Sequence, residues 1–167
     1  KDGRTVCWGR GTYGQIGHGL KPKVQPVPKL ISGLPTATTY AAGDNHGCVL
    51  RGGAPYCFGR NSSRQTVRFT NSAQSKPAPM IDVAGLQGLS LGGSFSCGLR
   101  NGQVICWGNN LSGQTGRGYK SKTAFAAPVA GVKDAVQVSA GSVHACALHK
   151  GGPVSCWGSG ANGRLGN

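Results

Sequence analysis

Cys97-Gly98-Leu99-Arg100-Asn101-Gly102-Gln103-Val104-Ile105-Cys106 reads as a complete β-hairpin. Asn101-Gly102 at its centre supplies the two positions of positive φ that a type I′ turn requires. Pairing outward sets Arg100 against Gln103, Leu99 against Val104, Gly98 against Ile105 and Cys97 against Cys106. Hydrogen-bonded and non-hydrogen-bonded pairs alternate along such a ladder. The count puts the two cysteines at a non-hydrogen-bonded pair, where side chains approach most closely. A cross-strand disulfide is feasible there.

The same geometry recurs on either side. Cys48 to Cys57 turns on Gly52-Gly53, and Cys146 to Cys156 is one residue longer, around Lys150-Gly151-Gly152, which suits a three-residue loop. Disulfides Cys48–Cys57, Cys97–Cys106 and Cys146–Cys156 are therefore expected, with free buried cysteines as the alternative. A zinc site fits less well, because two sulfurs on each of several splayed hairpins do not converge on one ion.

Each hairpin ends in a repeated motif: Tyr56-Cys57-Phe58-Gly59-Arg60, Ile105-Cys106-Trp107-Gly108-Asn109 and Ser155-Cys156-Trp157-Gly158-Ser159, with a further copy at Val6-Cys7-Trp8-Gly9-Arg10. The anchoring cysteines 7, 57, 106 and 156 are spaced by 50, 49 and 50 residues. A period near fifty filled with short strand-like runs fits four strands per repeat, the blade of a β-propeller. Glycine-rich turns follow the motif at Gly14 to Gly19, Gly113 to Gly118 and Gly163 to Gly166, while the copy from Arg60 to Gln65 has lost its glycines. A variable loop comes next, then a strand entering a small-residue run such as Tyr40-Ala41-Ala42-Gly43 or Val138-Ser139-Ala140-Gly141.

Cys7 has no partner within the chain. Asp2-Gly3 aligns with Asn101-Gly102, so it reads as the turn of a hairpin whose first strand lies before residue 1. Gly163 to Asn167 stops inside the glycine-rich turn. The expectation is an all-β propeller segment over residues 1–167. It would hold about three four-stranded antiparallel blades plus partial blades at both ends, completed by further chain or another subunit.

Composition narrows the function. The 167 residues include 30 glycines, 18 Lys/Arg and only four carboxylates (Asp2, Asp44, Asp82 and Asp134), for a net charge of +14. Glutamate is absent, which with the dense glycine argues against a helical bundle. Two-carboxylate glycosidase chemistry and many-ligand magnesium sites are nearly closed off. No run of eighteen apolar residues is present to span a membrane.

The motif set resembles the regulator of chromosome condensation repeat family. The matching residues are Cys7-Trp8-Gly9, Gly14-Gln15-Ile16-Gly17-His18-Gly19, Ala42-Gly43-Asp44-Asn45-His46, Leu50 and Gly52-Gly53. Gly108-Asn109-Asn110, Gly113-Gln114 and Ala140-Gly141-Ser142-Val143-His144-Ala145-Cys146-Ala147-Leu148 match as well. The resemblance implies a seven-bladed propeller of four-stranded blades. The family's eukaryotic founder is a nuclear exchange factor for a small GTPase that binds nucleosomes. A cysteine pair in every blade does not suit a reducing nucleus, and resembles instead the disulfide-containing bacterial exported branch. The expected setting is extracellular, periplasmic or on the cell surface.

Candidate chemistry is sparse. His46 and His144 share a repeat position with Phe95, so that position accepts an apolar ring and reads as packing. His18 and His149 read as loop residues whose spacing fits no ligand motif. Ser94, His144 and Asp134 assemble a catalytic set only on paper, with no strained Gly-x-Ser-x-Gly elbow. The Trp8, Phe58, Trp107 and Trp157 rings read as inter-blade packing. The glycine-rich turns lack the Lys-Ser/Thr and following helix of a phosphate loop. No catalytic residue, metal or cofactor is assigned, and an enzyme is not expected.

Charge is the one global feature with functional content. Lys21, Lys23 and Lys29, then Arg60, Arg64 and Arg68, then Lys120 and Lys122 are assigned to the variable inter-strand loops, as partner-binding candidates. Their field would attract an acidic protein, nucleic acid or anionic polysaccharide, although solubility charge reads equally from composition. The expected function is a non-enzymatic binding scaffold in an extracellular or envelope assembly with a protein partner. The alternatives are a chromatin-associated guanine nucleotide exchange factor and a secreted enzyme inhibitor.

Overall fold

The computed structural model describes residues 4–31, 33, 34, 36–66 and 69–166. Asp2-Gly3 and Arg68 lie outside the described residues. Among the described residues, thirteen strands form four antiparallel sheets. The first sheet pairs β1 (Val6–Arg10) with β2 (Val24–Leu30). The second runs β3 (Thr39–Ala42), β4 (His46–Arg51), β5 (Ala54–Gly59), β6 (Gln74–Pro79) in chain order. The third repeats that order with β7 (Gly88–Leu91), β8 (Phe95–Arg100), β9 (Gln103–Asn110) and β10 (Ser121–Pro128). The fourth holds β11 (Ala135–Ala140), β12 (His144–His149) and β13 (Val154–Gly158). Four-stranded antiparallel blades flanked by partial ones are as the repeat implied.

The hairpins follow the residue-by-residue expectation. Arg100 pairs with Gln103 and Cys97 with Cys106. Asn101 and Gly102 hold φ of 48° and 78°, and Gly52 and Gly53 hold 55° and 77°. The longer hairpin closes where the His149 N–H donates to the Pro153 carbonyl at 2.8 Å, which leaves Lys150-Gly151-Gly152 as the loop. Cys48–Cys57, Cys97–Cys106 and Cys146–Cys156 are disulfide-bonded, each with Cα atoms 4.1 Å apart. Cys7 is a buried free thiol 3.7 Å from Tyr40 Oη, and burial pushes its pKa up.

Three apolar layers lie between successive sheets. Ile16, Ile31, Val49 and Phe58 fill the first. Leu50, Val83, Leu91 and Trp107 fill the second, and Val104, Val129, Val132 and Ala145 fill the third. Each fully buried side chain of this size contributes about 1.5–3 kcal/mol of transfer free energy. The Trp107 indole N–H donates to the Gln65 carbonyl at 3.0 Å, and that of Trp157 to the Gln114 carbonyl at 2.9 Å. The aromatic after Cys57, Cys106 and Cys156 is thus an inter-sheet packing ring, whereas Trp8, expected to pack in the same way, is 61% exposed.

The inner strands approach through glycine. A methyl group at Gly43 would lie 2.3 Å from the Gly92 carbonyl oxygen, and one at Gly92 2.4 Å from that of Gly141. In each sheet the same glycine also receives the ring three residues on: His46 over Gly43, Phe95 over Gly92 and His144 over Gly141. The shared position of His46, Phe95 and His144 is accordingly a packing position.

Candidate functional site

Two kinds of loop meet at one end of the sheets. The inner turns join the first and second strands of a sheet at residues 43–45, 92–94 and 141–143. The outer loops leave the third strand at residues 11–23, 60–73, 111–120 and 159–166. One hydrogen bond ties them together in each of the second, third and fourth sheets. The N–H of Arg60 donates to Asn45 O at 2.8 Å, that of Asn109 to Ser94 O at 2.9 Å, and that of Ser159 to Val143 O at 2.9 Å. Between them lies a polar cleft of about 340 Å³ whose walls include Asp44, Arg60, Ser94, Asn109, Gln114 and Ser142.

The outer loops are braced from within by amides. Asn61 accepts from the Thr66 N–H at 2.9 Å and donates to Thr70 O at 2.6 Å. Asn110 does the same toward Thr115 and Tyr119, at 3.0 and 2.9 Å. Gln15, Gln65 and Gln114 each accept from the N–H two residues earlier, at 2.8 to 2.9 Å. Buried amide networks of this kind hold a loop in one shape. Arg64 occupies the left-handed region at φ 59°, where its siblings are Gly14, Gly113 and Gly163 with φ of 81°, 76° and 69°. That conformation costs a residue with a Cβ about 1–2 kcal/mol.

On this rigid frame the first three outer loops each present an apolar side chain. Leu20 and Tyr119, at matching positions, are each 59% exposed, and Phe69 is 76% exposed. Lys21 and Lys120 follow Leu20 and Tyr119 directly, and Lys23 sits two residues beyond Lys21. Arg60 lies 5.3 Å over the Tyr13 ring and Arg64 5.4 Å over the Phe125 ring, so both also link neighbouring sheets. Two assignments are corrected. Lys29 lies in β2 and Lys122 in β10, so both belong to outer strands rather than loops. Those strands carry Pro26, Pro28 and Pro128 and little buried alternation, the mark of an edge that sequence patterning reads as loop.

The sequence reading missed two groups. Arg117 sits half-buried under its loop, where Nη2 donates to Cys106 O at 2.8 Å and Phe125 O at 2.7 Å, and Nη1 to Pro128 O. Burial pulls its pKa down, opposed by Tyr119. The set Ser94, His144, Asp134 is not brought together: Ser94 lines the polar cleft, while Asp134 bonds His149. His149 is the last residue of β12 rather than a loop residue. Its Nδ1 is 2.5 Å from Asp134 Oδ1 and its Nε2 is 2.9 Å from Ser155 Oγ. No linear motif marks these three positions; only the hairpin register brings them together.

Family models described as "Regulator of chromosome condensation (RCC1) repeat" match residues 2–50, 101–148 and 135–164. Human Protein RCC2 is 35% identical over 81 residues, 47% of this chain and 15% of its own length. Mouse RCC1 domain-containing protein 1 is 33% identical over 78 residues, 46% of this chain and 21% of its own length. The chain thus matches well under a quarter of each of these relatives. Among solved structures, Prp20p of Saccharomyces cerevisiae superposes with a TM-score of 0.81 at 25% identity, over 97% of this chain and 42% of its own. That protein was characterised for binding to Gsp1p and histones. Human WBSCR16 superposes with a TM-score of 0.82 at 24% identity, over 93% of this chain and 44% of its own, and shows the fold.

Proposed function

The chain belongs to the Regulator of chromosome condensation (RCC1) repeat family, and from that premise we propose that it is a binding propeller. Its partner is an acidic protein docked on the outer loops. One observation carries this reading: amide-braced loops of neighbouring sheets each expose an apolar side chain, and two of them place a lysine directly after it. Exposed apolar groups on a rigid frame supply contact area at low ordering cost. The lysines and the +14 charge steer an acidic partner into place. Arg60 and Lys23 extend the positive rim, and recognition at this face needs no covalent step. A disulfide in each described hairpin supports an oxidising setting: extracellular, periplasmic or on the cell surface.

The test is capture on the immobilised chain, compared with the Leu20→Asp, Tyr119→Asp double variant. The reading expects a partner held by the parent, released by added salt and lost by the variant. A partner held equally by both refutes the loop assignment. A second reading, chromatin association, draws on the histone binding of Prp20p and on the same positive charge. It expects DNA affinity that falls steeply and linearly on a log–log plot against salt.

A further inference from the structure

The polar cleft beside the inner turns has a notch in its wall. Asp44, Gly93 and Ser142 hold the same place in the second, third and fourth sheets, each one residue after the closely approached Gly43, Gly92 or Gly141. Gly93 is not among the residues of positive φ, so its backbone does not call for glycine. A methyl group on it would lie 2.9 Å from Ser142 O, 2.9 Å from Ser142 Oγ and 3.0 Å from Asp44 Oδ2. Where its siblings carry a side chain, Gly93 therefore leaves room bordered by three oxygens.

The frame around this room is fixed. Each turn runs between two paired strands, β3 with β4, β7 with β8 and β11 with β12. The Gly93 N–H donates to Ser142 O at 3.1 Å and so ties two of the turns together. Among the described residues, Asp44 makes no ion pair, and neither its carboxylate nor the Ser142 hydroxyl is hydrogen-bonded.

The walls select the chemistry of a ligand. Asp44 and Arg60 are the only charged residues lining the cleft among the described residues, and their charges offset each other. A bare anion would meet Asp44 and a bare cation Arg60. Ser94, Ser112 and Ser142 add hydroxyls that donate and accept, and Asn109 Nδ2 has only a 3.5 Å contact with Ser63 Oγ, which leaves a donor to spare. Leu111, 61% exposed, adds one apolar surface at the rim. A pyranose ring has the matching surface, with hydroxyls around its edge and C–H groups on its face. At about 340 Å³ the cleft is at the small end for ligand sites and suits one ring rather than a chain.

We propose that this cleft binds a neutral pyranose unit. Two neighbouring ring hydroxyls donate to the Asp44 carboxylate, one of them from the notch over Gly93, where it also reaches Ser142. Asn109 Nδ2 donates to a third oxygen of the ring, and the C–H face lies on Leu111. No covalent bond is made or broken. The site is separate from the face assigned to the acidic partner, since Leu20, Lys21, Tyr119 and Lys120 do not line it. Arg60 borders both, but its guanidinium rests on the Tyr13 ring and its Nε donates to Ser62 Oγ at 3.0 Å, so it serves the sugar as a wall and not as a contact.

The test follows the backbone amide shifts of the isotope-labelled parent chain by nuclear magnetic resonance. Methyl α-D-mannopyranoside, methyl β-D-glucopyranoside and methyl β-D-galactopyranoside are titrated in separately. At least one is expected to shift the amides of Gly93, Ser94, Asn109 and Ser142 saturably while those of Leu20 and Tyr119 stay in place. Asp44→Asn should weaken that titration by about 10-fold or more through loss of a charged acceptor. Gly93→Ala should weaken it to a similar degree by filling the notch. Added salt should leave it unchanged, because the ligand is neutral, whereas it releases the acidic partner. The absence of a saturable shift with all three glycosides, shifts centred outside the cleft, or an affinity unchanged in either variant overturns the site. The parent titration needs no variant, so a Gly93→Ala chain that fails to fold leaves the proposal open to refutation. Sugar binding and capture of the acidic partner are read separately, so either reading can fail while the other stands.

Discussion

The imidazole Nε2 of His46 lies 2.9 Å from the hydroxyl of Ser96 in the neighbouring sheet, and both residues are buried. Ser96 Oγ lies in turn 3.2 Å from Gln65 O, whose carbonyl also receives the Trp107 indole. A single inner-strand residue thereby touches the network that braces an outer loop. His46 joins the packing of the sheets to the shape of the face assigned to binding.

Burial lowers the His46 pKa from its ordinary value near 6.5 to about 3. The folded chain holds the ring neutral, while the unfolded chain protonates it below about 6.5. The stability tied to this group is complete above that pH and drains away as pH falls toward 3, by at most about 1.4 kcal/mol per pH unit. Urea midpoints between pH 7 and pH 4.5 should fall in the parent. In His46→Phe, which copies Phe95, the fall should be shallower. Equal slopes would remove His46 as the titrating group.

Glycine at the inner strands is required by close approach, and glycine in the outer loops by φ. A methyl at Gly92 would lie 2.1 Å from Phe95 Cε1 and 2.4 Å from Gly141 O, whereas one at Gly113 meets nothing within 4 Å but sits at φ 76°. Gly92→Ala should cost about 3 kcal/mol or more through overpacking across the sheet junction. Gly113→Ala should cost about 1–2 kcal/mol through backbone strain alone. Urea titration of the two variants checks the ranking.

The hairpins were legible because turn chemistry and cysteine spacing are local: Asn101-Gly102 sets the register, and the register sets Cys97 against Cys106. The packing role of His46 was legible because the sister repeat carries Phe95. Lys29 and Lys122 were misplaced because outer strands rich in proline show no buried alternation. Asp134, His149 and Ser155 were illegible for another reason. Their meeting depends on a loop one residue longer than in the sister hairpins and on a bulge between Ala135 and Gln137, which no linear spacing reports.

Six cysteines should resist iodoacetamide until reduced, and Cys7 should resist it until unfolded, because it is buried and its pKa is raised. Intact mass after alkylation in native buffer should show no adduct, after urea alone one, and after urea with reductant seven. Replacing the Cys97–Cys106 pair by serines should cost about 3 kcal/mol, the entropy of a closed loop of this size. Native alkylation of all seven would withdraw the support for an oxidising setting.

Arg117 separates structural charge from binding charge. Its guanidinium spans the carbonyls of Cys106, Phe125 and Pro128, which join the outer loop to the last two strands of its sheet. Arg117→Met keeps the volume but strands those acceptors, and should lower stability by about 2–3 kcal/mol. Arg117→Lys should recover only part of that, since an ammonium cannot reproduce the planar fork. Lys21→Gln and Lys120→Gln, on exposed loop positions, should shift stability by less than about 0.5 kcal/mol, yet weaken capture of an acidic partner and its dependence on salt. Stability measured by urea and capture measured at two salt concentrations therefore give opposite orders for the two kinds of cation. A common order would mean that the loop lysines hold the fold, and the partner-binding assignment would have to move to another face.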